Sequence, residues 1–86
     1  MANHKSAKKR IRQTEYRTGV NRIRVNHIRT FVKRAESLIE SGVKDLAIEA
    51  LRVAQSKLMH GVRVGVMRKG TVSRKVSRLV ARIKSL

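Results

Sequence analysis

The side chains of this sequence that could act on another molecule are nearly all cations. Lysine and arginine number 22 against five acids, for a net charge of +17. Lys5, Lys8, Lys9 and Arg12 stand at i, i+3, i+4 and i+7, and Arg10, Arg17 and Arg24 form a seven-spaced row. Toward the other end, Arg74, Arg78 and Arg82 recur every four positions with Lys75 beside them. Such spacings align side chains along a helix. Aligned fixed cations suit phosphate, through charge-assisted hydrogen bonds and displacement of condensed counterions. A charge of this size also repels itself in a folded chain and calls for a polyanionic partner, with nucleic acid leading.

The charge is unevenly spread. Residues 1–34 hold eleven bases and Glu15 as the one acid, residues 35–62 hold three bases and four acids, and residues 63–86 hold eight bases and no acid. A surface charged only for solubility would mix the signs. Both ends read as phosphate-facing, with a near-neutral middle.

Catalytic chemistry finds little support. His4, His27 and His60 are far apart in sequence with no partner at ligand spacing, whereas zinc wants four ligands. Glu36 and Glu40 could mimic a carboxylate pair but read better as shields for Lys33 and Arg34 one turn away. Serines and histidines occur without a third group to complete a triad. Gly61, Gly65 and Gly70 follow no strand and form no phosphate loop. Tyr16 could stack on a base but reads equally well as an exposed helix residue, and Phe31 reads as core. The expectation is a protein that is not an enzyme, with no catalytic residue, metal, cofactor or small-molecule substrate.

The 86 residues allow one domain and only a small core. No cysteine is present, so disulfides and thiolate metal sites are excluded, and no proline interrupts a helix. No window approaches the roughly 18 apolar residues of a membrane span. The first ten residues are polar and basic, unlike a secretory signal. A mitochondrial presequence shares that composition, but residues 5–24 lack its continuous apolar face.

The elements that must carry the cations follow from the apolar residues. Val25, Ile28, Val32, Ala35 and Ile39, widened by Phe31 and Leu38, repeat at three and four, the stripe of an amphipathic helix. It should end near Ser41 and Gly42. Continued backwards, the stripe meets Asn21, Thr18 and Thr14, and bases surround the helix instead. A helix with no apolar face has no core to join; alone it should fray, and against phosphates it can order. A second helix is expected over about 43–60, with Val43, Leu46, Ala47, Ala50, Ala54 and Leu58 on one side, broadened by Leu51 and Val53. The three glycines after it read as a loop. Thr71 is the expected N-cap of a third helix, whose stripe is Val72, Val76, Leu79, Ile83 and Leu86. The sum is an all-α protein: an antiparallel three-helix bundle over 25–86 whose long first helix extends over 1–24 as a basic arm.

The opening run Met1-Ala2-Asn3-His4-Lys5-Ser6-Ala7-Lys8-Lys9-Arg10-Ile11-Arg12-Gln13 resembles that of the bacterial small-subunit ribosomal protein S20 family. Asn21, the segment Arg29 to Lys33, and Gly65 to Leu79 resemble further marked positions, so the likeness spans essentially the whole chain. The chain departs from the family at Arg68, Gly70 and Val76. The resemblance implies a three-helix bundle with an extended first helix, in the cytoplasm of a bacterium. It implies a structural, early-assembling monomer near the bottom of the small-subunit body. There the family binds the 5′ domain of 16S rRNA directly and also contacts the long penultimate helix of the 3′ end.

The expected RNA-contacting residues are Lys5, Lys8, Lys9, Arg10, Arg12, Arg17 and Arg22 on the arm, and Lys69, Arg74, Lys75 and Arg78 at the third helix. Asn3, His4, Ser6 and Ser77 are expected to add hydrogen bonds. Two other readings share the charge and helicity: a DNA-architectural, nucleoid-type protein, and a membrane-surface or calmodulin-target helix. The second is disfavoured, because the most basic segment lacks an apolar face.

Overall fold

The computed structural model describes the backbone from Ala2 to Leu86 and the side chains from His4 onward. Three helices follow one another: α1 Ala2–Glu40, α2 Lys44–Arg63 and α3 Lys69–Lys84. Among the described residues there is no strand. At 1.5 Å per residue the 39 residues of α1 extend about 58 Å, nearly the 64 Å length of the whole molecule, whose other dimensions are 20 and 14 Å.

The core occupies one end of that length. Ile28, Val32, Ala35 and Ile39 of α1 are buried against Ala47, Leu51, Ala54 and Leu58 of α2 and Val72, Leu79 and Ile83 of α3. Leu58 and Leu79 are the largest fully buried side chains. α2 packs on both other helices, whereas α1 and α3 touch far less. One tie between those two is an ion pair, with Lys75 Nζ 2.6 Å from Glu36 Oε1. Glu36 thus reaches across to α3 instead of shielding only its own helix.

Two turns reverse the chain. Gly42 has φ +75° and Gly65 has φ +83°, the left-handed region in which a Cβ is strained. Gly61 serves a different purpose. It lies buried within α2, where a Cβ would stand 2.7 Å from Ile28 Cδ1 and 2.8 Å from Met67 Cγ. Its lack of a side chain lets α1 and the end of the α2–α3 connection close on α2. The backbone N–H groups of Val66 and Met67 both donate to the Gly61 carbonyl, at 2.9 and 3.2 Å.

This arrangement corrects four expectations. The glycine-rich stretch is not one loop, because Gly61 ends up inside α2 and Gly70 inside α3, leaving Gly65 at the turn. α3 begins at Lys69 behind an extended Arg68, with no side-chain cap, so Thr71 is a helical residue and not an N-cap. With Met67 fixed on Gly61, the chain can begin to coil immediately. The buried side of α2 is also rotated from the expected one. Ala47, Leu51, Ala54, Leu58 and Gly61 face inward, while Val43, Leu46 and Val53 are exposed. Leu86, expected at the end of the α3 stripe, is exposed as well.

Candidate nucleic-acid interface

Every described residue of α1 from His4 to Gly19 is exposed, and burial begins with the half-buried Val20 and Asn21. The cause is the sequence pattern: with cations where the apolar stripe would continue, the first half of α1 has nothing to place against α2 or α3. His4, Lys5, Ser6, Lys8, Lys9, Arg10, Arg12, Arg17 and Arg22 are therefore solvent-facing side chains on one continuous helix. The side chain of Asn3 lies outside the described residues. Ile11 and Tyr16 share this exposure, with Tyr16 at 76 %, so the one tyrosine is an uncovered aromatic face between Arg12 and Arg17.

The second expected cluster sits on α3. Lys69, Arg74, Ser77 and Arg78 are exposed; Lys75 is half-buried, and its ammonium is engaged by Glu36. α3 begins where Met67 and Gly61 meet Ile28, and Ile28 stands six residues beyond Arg22, roughly 9 Å along α1. Arg22 and Arg29 also share a cavity with Gly65 and Val66 of the α2–α3 turn, so the two clusters follow closely on one another along a molecule 64 Å long.

The fold also creates a basic groove that the spacing of residues does not announce. Ile23, Arg24, His27 and Ile28 of α1 face Ser56, Lys57, His60, Arg63 and Val64 across a cavity of about 450 Å³. His27 and His60, 33 positions apart in the chain, line the same space. Phe31, one turn beyond His27, contacts two of the lining side chains: the His27 ring meets it edge-on at 4.9 Å and 71°, and Lys57 Nζ lies 5.1 Å from its centroid, with Arg34 Cζ outside the groove at 5.5 Å. Such cation–ring contacts are each worth about 0.5–1 kcal/mol at exposed sites. The one forewarning in the sequence was Arg24, the third member of the seven-spaced arginine row.

Among the described residues, no group of three or more His, Asp or Glu side chains could hold a metal ion. No helix of the described residues is long and apolar enough to cross a membrane. What the arrangement can do is electrostatic. It offers a long, thin, positively charged rod whose cations are set at fixed spacings, with only one of them in an ion pair among the described residues.

A family model described as ribosomal protein S20 matches residues 2–84. The small ribosomal subunit protein bS20 of Paramagnetospirillum magneticum is 59 % identical over 86 residues, covering all of this chain and 96 % of that protein. The proteins of the same description from a Ruegeria species and from Rhodospirillum rubrum are 54 % and 51 % identical, again over the whole chain and over 99 % and 98 % of their own lengths.

Proposed function

The chain belongs to the ribosomal protein S20 family, and from that membership we infer that it is a structural constituent of the bacterial small ribosomal subunit, in the cytoplasm, that binds 16S rRNA directly. The observation that carries the reading is the exposed, cation-ringed half of α1. Its side chains have no protein surface to pack on and sit at spacings suited to phosphate oxygens. The relatives give no support to the DNA-architectural alternative.

Residues 1–24 act as an RNA-binding arm and residues 25–86 as the bundle that anchors it. An A-form major groove is too deep and narrow for side chains to read, so recognition runs through phosphates, 2′-hydroxyls and shape. A single helix is thin enough to lie between two RNA helices and neutralise both. Lys5, Lys8, Lys9, Arg10, Arg12, Arg17 and Arg22 supply that neutralisation, with Lys69, Arg74, Lys75 and Arg78 as a second station, Lys75 shared with Glu36, and Asn3, His4, Ser6 and Ser77 adding hydrogen bonds. The RNA regions are the 5′ domain and the long penultimate helix, contacted by one copy of the protein. No catalytic step belongs to this role.

Replacement of Lys8, Lys9, Arg10 and Arg12 by Gln tests it. Affinity for a small-subunit rRNA transcript should fall, and the slope of log K against log salt should flatten by up to about 3.6, since each phosphate contact contributes about 0.7–0.9. Equal affinity with an unchanged slope would refute the assignment.

A further inference from the structure

We propose that the α1–α2 groove bounded by Arg24, Lys57 and Arg63 is a separate RNA subsite that receives one unstacked nucleotide, its base on the apolar side and its phosphates on the basic side chains. The proposal rests on the RNA-binding reading and deepens it: Arg24 is the last residue of the arm, whereas Lys57 and Arg63 belong to neither the arm nor the α3 contacts described above.

The groove is built unlike the arm. The arm presents its cations, with Tyr16 among them, from a single exposed helix, which suits a passing backbone. Here Ile28, Val64 and the 71 % exposed Ile23 give the groove an apolar side next to Arg24, Lys57 and Arg63. Bare phosphate would leave that side unused, whereas a nucleobase is a flat, weakly hydrated disc that such a surface can take. A volume of about 450 Å³ falls within the range of small-ligand sites and suits one planar group better than a peptide helix. Among the described residues no carboxylate lines the space, so an incoming phosphate would displace no internal ion pair.

The lining is also preordered. Lys57 and His27 are both held against Phe31, at 5.1 Å and 4.9 Å, so part of the entropy of fixing them is already lost before a ligand arrives. His27 and His60 bring ring nitrogens able to donate or accept at a base edge or a 2′-hydroxyl, and their planes can stack. Continuity of path supports RNA as the occupant over an acidic peptide. Arg10, Arg17 and Arg24 follow one another on α1 at intervals of seven, so a strand tracking the arm runs directly into the groove.

The test is an NMR titration of the isotope-labelled full chain. The probes are a single-stranded oligouridylate of about eight nucleotides, a duplex RNA of equal length, inorganic phosphate and oligoglutamate. The single strand should move the His27 and His60 imidazole signals and the Ile23 and Val64 methyl signals saturably, about tenfold more tightly than the duplex does. Combined Arg24→Gln and Lys57→Gln substitutions should weaken that response by about tenfold, with helicity by circular dichroism unchanged. The subsite is overturned if phosphate or oligoglutamate produces the same shifts, if the duplex acts as tightly at these signals, or if shifts stay confined to residues up to Arg17. In the last case RNA binding by the arm survives. Indifference of arm and groove alike, to the oligonucleotide and to a small-subunit rRNA transcript, removes the RNA-binding reading itself.

Discussion

Lys75 shows how one neighbour changes what a cation can offer a ligand. By spacing it belongs with Arg74 and Arg78, yet its ammonium sits 2.6 Å from Glu36 Oε1, with its side chain 41 % exposed. To meet a phosphate it must leave that carboxylate or share itself between two anions, so its net gain is smaller than that of an uncommitted arginine. Arginine also offers a planar fork to phosphate that lysine lacks. Lys75→Gln should therefore alter the salt slope of rRNA binding by much less than the roughly 0.7–0.9 of a full phosphate contact, while Arg78→Gln approaches that value. Parallel titrations of the two variants decide it, and a larger loss for Lys75→Gln would mean that RNA separates the ion pair. A partnership 39 positions apart could not be read from spacing, because Glu36 has nearer bases in Lys33 and Arg34. The cationic rows themselves were fully legible, since the arm's side chains depend on no tertiary neighbour.

At the scale of an element, α1 and α2 differ in how plainly the sequence specifies them. The second half of α1 has a narrow stripe, and Ile28, Val32, Ala35 and Ile39 are buried as their spacing requires. α2 is apolar around more of its circumference, so periodicity alone leaves its rotation open. The decision comes from small residues. Ala47, Ala54 and Gly61 permit the closest approach, and they turn Leu46 and Val53 outward. Glycine was misleading for the same reason: at Gly61 its value is closeness to Ile28, not freedom of the backbone. The first half of α1 raises a different matter. Its first turn carries no acid and its last turn no base, so neither end compensates the helix dipole, and no core holds the arm in place. In the absence of RNA at low salt, amides up to about residue 20 should exchange within the time of fraying termini, while those of Ile28 to Ile39 follow global unfolding. Small-subunit rRNA should slow exchange in the arm specifically. Strong arm protection without RNA would show that the helix needs no phosphate to persist.

The whole molecule sets two costs against each other. Its radius of gyration is 17.8 Å, against about 12 Å for a compact domain of this length, so much of the chain lies outside the core. Eleven buried hydrophobic residues hold the described structure together, and cores of this size seldom supply more than about 3–5 kcal/mol. Onto that small reserve the fold places a net charge of +17, whose self-repulsion is strongest in the compact state. Salt should thus act opposite to its effect on a protein tied by ion pairs. Raising ionic strength from about 0.01 M to 0.15 M shortens the screening length from about 30 Å to about 8 Å. That relieves repulsion among 22 bases while weakening the Glu36–Lys75 contact, a partly exposed pair worth at most about 1 kcal/mol. Repulsion should dominate, and Tm in a thermal melt should rise, with each 1 kcal/mol gained appearing as about 4–8 °C in a domain of this size. A flat or falling Tm would mean that the extended shape already spreads the charge widely enough to be harmless. In that event, the order that RNA gives the arm would be a matter of binding alone, with no stabilisation of the bundle behind it.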